Sequence, residues 1–123
     1  MHIRLAADTD LQPLSHLFDH YRQSCDHPSD INGCYTFLSQ RLSENDSIIF
    51  VASESENILG FIQLYPSFSS LMLQPVWYFE DAYVMPKYRN QGIASQMIAR
   101  ANILATSAQV KLVDGHREQS LRV

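Results

Sequence analysis

Residues Pro86 to Ser95 read PKYRNQGIAS, and the reading of this stretch decides the fold. Before it lies WYFEDAYV (Trp77 to Val84), aromatic and β-branched, the composition of a strand. After it lies QMIARA (Gln96 to Ala101), a run of good helix formers. The stretch is therefore a strand-to-helix turn, basic at Lys87 and Arg89 and carrying Gly92. A helix N-terminus leaves backbone N–H groups unpaired and carries partial positive charge, so it receives anions. A pyrophosphate approaches closely only where side chains are small. Gly92 and Ala94 meet that need, Ser95 adds a hydroxyl, and Arg89 has the fork geometry for two phosphate oxygens. No G-K-[ST] follows, so this is not a P-loop, and the G-x-G-x-x-G dinucleotide fingerprint is absent. Spacing alone leaves two readings open: a pyrophosphate cradle, or an ordinary helix start with a glycine near its first turn.

Working outward, hydrophobic periodicity supplies the other elements. His2 to Ala7 reads as a strand, and Asp8 or Thr9 caps a helix starting near Asp10, with Leu11, Leu14, Leu17, Phe18 and Tyr21 at helical spacing. Residues 25 to 33 read as a loop. Tyr35, Phe37, Leu38 and Leu42 predict a second helix ending near Glu44. SIIFVAS (Ser47 to Ser53) and Ile58 to Tyr65 predict an antiparallel hairpin, and Pro66 to Gln74 an irregular, flap-like connection. Val76 to Val84, Gly92 to Thr106 and Gln109 to Val113 predict a strand, helix and strand joined by a parallel crossover. The expected order is β-α-α-β-β-β-α-β, a mixed α/β class.

The chain has 123 residues, enough for one domain with a real core. Its formal net charge of -4 argues against broad nucleic-acid binding, which needs a basic face. The two cysteines, Cys25 and Cys34, are too few for a disulfide scaffold and lack C-x-x-C spacing, which predicts reduced thiols and a cytoplasmic location. No apolar run reaches the roughly 18 residues of a membrane span, and the N-terminus lacks a signal pattern. His16 and His20 stand four apart on the first predicted helix. A solvated helix face accounts for them, and no metal is expected.

Arg89-x-x-Gly92-x-Ala94, following Val84-Met85-Pro86-x-Tyr88, resembles the acetyl-CoA signature of the GNAT family of N-acetyltransferases. EDAYVMPKYRNQGIA (Glu80 to Ala94) looks most like the branch that acetylates small amines, diamine acetyltransferases included. GFIQLYPSFSS (Gly60 to Ser70) is similar to that family's third strand and following loop. The resemblance covers the chain from the first strand to about Val113. It implies a GNAT-like acyl-CoA acyltransferase fold, with a central mixed sheet flanked by helices, in one N-acetyltransferase domain over residues 1–123. It implies acetyl-CoA as donor and direct transfer to a small primary amine, polyamine or amino-acid-like acceptor. By residue matching, Ala82, Tyr83 and Val84 pair with the pantetheine arm much as with an added strand. Arg89, Asn90, Gln91, Gly92, Ile93, Ala94 and Ser95 hold the pyrophosphate. The Val84 N–H polarises the thioester carbonyl.

An alkyl amine, with a pKa of about 10.4, must lose a proton before it attacks. The resemblance points to Glu80 as the base, directly or through a water, with Asp81 beside it toward the acceptor. Neighbouring strand residues face opposite sides, so the two carboxylates share one substrate only if a bulge intervenes. Tyr21 and Tyr35, on the first two helices, are placed at the acceptor pocket by the same fold, with helix packing as their alternative role. The chain departs from the family after Val113, where DGHREQSLRV holds no tyrosine to match the usual acid for the leaving thiolate. The resemblance thus implies a form truncated at the C-terminal side, lacking the last helix and two strands. It also implies a homodimer that covers the uncovered edge. The alternative function is a weakly active or inactive acyl-CoA-binding, dimer-forming relative.

Overall fold

The computed structural model describes residues 1–115 and 121–123. The chain order is β1 (His2–Leu5), α1 (Leu11–Ser24), α2 (Ile31–Glu44), β2 (Ile48–Glu54), β3 (Asn57–Ser69), β4 (Gln74–Val84), α3 (Ile93–Ser107), β5 (Lys111–Asp114) and β6 (Leu121–Arg122). Single 3-10 turns at Asp8–Asp10 and Pro86–Tyr88 lead into α1 and toward α3. The strands form one mixed sheet ordered β1-β2-β3-β4-β5, antiparallel up to β4 and parallel between β4 and β5. The expected β-α-α-β-β-β-α-β order is present, with β6 added.

Strand alternation splits the core into two layers. Ile49, Val51 and Phe61 face Leu14, Leu17, Phe18 and Leu38 of α1 and α2. Phe50, Ala52, Ile62 and Leu64 face Ile93, Met97 and Ala101 of α3. The fully buried Phe61, Leu14, Leu38, Ile62 and Met97 mark the two centres. At about 1.5–3 kcal/mol for each large apolar side chain buried, these layers dominate the stability.

Two elements differ from expectation. The loop read over residues 25–33 is shorter, because α2 starts at Ile31. Asp30 caps it, its carboxylate accepting from the Gly33 N–H at 2.9 Å. Gly33 suits this turn because a Cβ there would collide with the capping carboxylate. The connection read over Pro66–Gln74 is mostly strand: β3 continues to Ser69 and pairs with β4 down to Ser69 opposite Gln74. β2 stops pairing at Leu64, so Pro66 lies where β3 has one neighbour only and its missing N–H does no harm.

Gly60, opposite Val84, is the close approach that fixes β4. A Cβ at residue 60 would lie 2.8 Å from the Tyr83 carbonyl oxygen. The Met85 N–H donates to Leu59 O at 2.9 Å. Antiparallel pairs alternate in where their backbone groups point, so Tyr83 turns its groups toward β3. Ala82 and Val84 turn theirs toward the outer edge of β4.

Candidate active site

β4 carries the site because it is irregular. Its register against β3 shifts between Gln63 and Leu64: Gln63 pairs with Asp81, and Leu64 with Phe79. Glu80 is the extra residue of a β-bulge. The consequence is readable in the side chains. Phe79 and Ala82 pack toward α3, whereas Tyr78, Glu80 and Asp81 all line one cleft on the α1 and α2 side. The bulge that sharing a substrate requires is present.

That cleft has a volume of about 1120 Å³. Its walls are Phe18, Tyr21 and Arg22 of α1, Cys34 and Phe37 of α2, and Tyr65 of β3. Asp81 is held at both oxygens. The Tyr21 hydroxyl donates to Oδ1 at 2.6 Å and the Gln63 amide to Oδ2 at 3.2 Å. Ser47 donates in turn to the Gln63 carbonyl at 3.1 Å. Asp81 is therefore fixed in place by α1 and β3. The Tyr65 hydroxyl is pushed well above the ordinary phenol range by burial and by the Asp81 charge, so it stays protonated.

Tyr35 is not in this cleft. It is 46% exposed. Helix phase explains it: Cys34 and Leu38, one turn apart, point inward, and Tyr35 lies about 100° round from Cys34. Phe37 takes the wall instead. Sequence reading also missed Gln63 and Tyr65. Gln63 had a signal, since it is the one polar residue within the run ILGFIQL of Ile58 to Leu64. The Cys34 thiol is pushed up by burial and by the Asp19 charge, which keeps it from acting as a thiolate nucleophile. Among the described residues no group of three or more His, Cys, Asp or Glu is placed to hold a metal ion.

Beyond the end of β4 the chain forms a small groove of about 190 Å³. Val84, Arg89, Asn90 and Gly92 through Ser95 line it, together with Val123. Gly92 is the N-cap of α3 at φ 81° and has no side chain to cap the helix. Among the described residues no side chain accepts from the first N–H groups of α3, which lie at the groove. Asn90, at φ 64°, shares the left-handed turn. Arg89 folds back: its Nε donates to Val84 O at 2.8 Å and its guanidinium lies 5.3 Å from the Tyr83 ring centre. Its side chain clamps the turn onto β4. Gln91 lies outside the groove lining, its amide 3.5 Å from Lys87 O. Ala82 and Tyr83 are buried, with side chains on opposite faces of the sheet.

The fold that carries this cleft and groove is shared with known proteins. The model of the acetyltransferase (GNAT) family matches residues 12–118. The chain belongs to the GNAT family. An uncharacterized N-acetyltransferase of Bacillus subtilis, YhfO, is 35% identical over 101 residues, 82% of this chain and 68% of that protein. The chain thus spans about two thirds of the length of the curated GNAT relatives it matches. A crystal structure of a probable acetyltransferase shares 34% identity at a TM-score of 0.85, over 94% of this chain and 79% of that one. A predicted acetyltransferase of Clostridium acetobutylicum, crystallised with acetyl-CoA, shares the GNAT fold at a TM-score of 0.75 and 16% identity, over 97% of this chain and 82% of that one.

Proposed function

We propose that this domain transfers the acetyl group of acetyl-CoA directly to a small primary amine, a polyamine or an amino-acid-like acceptor. One observation carries the reading. The bulge at Glu80 turns two adjacent carboxylates into one aromatic-walled cleft, on the strand that ends at an uncapped helix N-terminus. Carboxylates suit a cationic acceptor. Asp81, fully hydrogen-bonded, orients the ammonium. Glu80 takes its proton, directly or through a water. The amine nitrogen then bonds to the thioester carbon, the C–S bond breaks, and the second proton that the nitrogen sheds passes to the departing sulfur, directly or through water, so coenzyme A leaves as the thiol. The Val84 N–H, at the outer edge of β4, is the donor to the carbonyl oxygen as charge develops. The pyrophosphate rests on the N–H groups from Gly92 to Ser95, where the helix end favours negative charge.

A thiol with a pKa of about 8.5 is a fair leaving group, so turnover without a positioned acid is slower rather than absent. The two free cysteines are in keeping with work in a reducing cytoplasm. Among the described residues no helix is long and apolar enough to cross a membrane. The second edge of β5 has no strand partner among the described residues, and a second copy of the chain is the proposed cover. Light scattering at micromolar concentration tests it, and a clean monomer refutes it.

Calorimetry with acetyl-CoA, followed by a thiol-release assay over a panel of amines, tests the whole reading. Binding together with release on at least one amine is expected. Binding without release on any amine favours the second reading, an acyl-CoA-binding relative with little turnover. That reading has one observation behind it: residues 89–123 carry no tyrosine to serve as an acid for the leaving sulfur.

A further inference from the structure

The outer edge of β4 has two successive neighbours. β5 pairs in parallel with Val76 through Phe79, and the Gly115 N–H donates to Phe79 O at 2.8 Å. Past the bulge a different segment takes over. Leu121 lies beside Ala82 and Arg122 beside Tyr83, again in parallel. The outward-turned backbone groups of this half of β4 belong to Ala82 and Val84, so β6 lies against them. The three residues also bridge the two cavities. Arg122 lines the large cleft and Val123 lines the groove at the α3 N-terminus.

An extended ligand with its anionic end at Gly92–Ser95 and its reactive end at Glu80 has one straight path between them. It runs along the edge of β4 past Val84 and Ala82. We infer that Leu121–Val123 occupies this path as a built-in competitor. The segment and the donor's pantetheine arm use the same edge and exclude each other, so acetyl-CoA binds by strand exchange. The inference rests on the proposed donor site. A peptide strand is a good mimic, because its N–H and C=O groups repeat along an edge much as the arm's two amides do. A pairing of two residues is also short enough to be displaced, since each hydrogen bond exchanged for one to water changes little in net terms. The occluded state lowers the apparent affinity by the fraction of molecules left open.

The full chain serves for the test. Amide hydrogen exchange at Arg122 is followed with and without acetyl-CoA, and acetyl-CoA is titrated calorimetrically into the unaltered chain and into Arg122→Pro. Proline removes an N–H from β6 and disfavours its pairing. Occlusion predicts that the Arg122 amide, which sits between Ala82 and Val84, exchanges slowly alone and fast with acetyl-CoA, and that Arg122→Pro binds about tenfold more tightly. Acetyl-CoA bound with the Arg122 amide still protected, and equally tightly to Arg122→Pro, overturns the occlusion while leaving the donor site standing. If neither chain binds acetyl-CoA, both the occlusion and the donor site fall. Should Arg122→Pro fail to fold, the exchange measurement on the unaltered chain decides alone.

Discussion

The Tyr21 hydroxyl donates to Asp81 Oδ1 at 2.6 Å and ties the first helix to the bulge of β4 across 60 positions of sequence. Tyr21 is wedged edge-on against Phe61, at 5.5 Å between ring centres, and against Tyr83 at 6.1 Å. Its rotamer is thus set by packing before the hydrogen bond forms. Tyr21→Phe keeps the packing and strips one acceptor of its donor. The expected cost is about 1–2 kcal/mol in a urea titration, with a weaker KM for the amine and an unchanged affinity for acetyl-CoA. A variant as stable as the parent with the same KM would remove Tyr21 from the site.

The two carboxylates separate by kinetics. Glu80→Gln keeps the shape of the bulge and removes the base, so kcat falls about 10²–10⁴-fold while acetyl-CoA affinity holds. Asp81→Asn instead leaves Tyr21 and Gln63 facing an amide, which disturbs the network more than the chemistry. Its loss should appear first in KM and in the denaturation midpoint. If the two variants exchange these signatures, the roles exchange with them.

The element order was legible because most of the helices and strands carry a hydrophobic period, as in Leu11, Leu14, Leu17 and Phe18 of α1. The bulge was legible only as a condition. One inserted residue leaves no compositional mark, and Glu80-Asp81 reads the same in a regular strand. Its trace lies in phase: Phe79 and Ala82 share a face with two residues between them, which a regular strand forbids. The start of α2 was obscured by Asn32 and Gly33, ordinary turn residues, though Asp30 three positions before Gly33 is a cap spacing. Tyr35 was misplaced for a different reason: Cys34 and Leu38 set the inward face of α2, and Tyr35 lies about 100° round from Cys34. β6 had no signal, because Leu-Arg has no period to read.

Acid unfolding should follow two carboxylates that the proposed chemistry does not use. Asp10 is held below the ordinary carboxylate range by its fork with Arg4, at 2.7 and 2.9 Å, against a cost of burial. Burial pushes Asp19 up, but hydrogen bonds from Ser29 and the Asp30 N–H, both 2.7 Å, and the Arg22 charge outweigh it, so its pKa is also lowered. A carboxyl whose folded pKa is depressed binds protons more readily when unfolded. Each therefore stabilises the fold fully above the unfolded value of about 3.9, and the contribution is lost as pH falls through the lower folded value. Denaturation midpoints should be flat above about pH 5 and drop steeply below about pH 4. Asp19→Asn should flatten that drop; an unchanged slope would clear Asp19 of the role.

Gly92 separates backbone strain from ligand exclusion. At φ 81° any side chain is strained, yet a Cβ there meets nothing closer than the Gln96 amide at 4.0 Å. Gly92→Ala should cost about 1 kcal/mol of stability and leave acetyl-CoA binding within a few-fold. Gly92→Glu adds a carboxylate beside the bare N–H groups, where it competes with the pyrophosphate, and binding should fall about a hundredfold or more. Equal affinity in both variants would refute the cradle.

Gly115 gives the finest test of Glu80, because its effect on activity and its effect on stability should part company. A Cβ at residue 115 would lie 2.6 Å from the Glu80 carboxyl carbon and Oε1. Those atoms are the far end of a flexible side chain, so the clash is relieved by rotating Glu80 rather than by moving backbone. Gly115→Ala should therefore cost kcat far more than stability, the rotated carboxylate giving up no more than the contacts it holds, about 1 kcal/mol. Acetyl-CoA affinity should hold as well. The displaced carboxylate loses its reach to the amine, and a displacement near 1 Å at a reacting group costs on the order of 10²-fold in kcat. In a Glu80→Gln background the same substitution should do almost nothing, since no base remains to displace. Additive losses in the double variant would show that Gly115 acts on something other than Glu80.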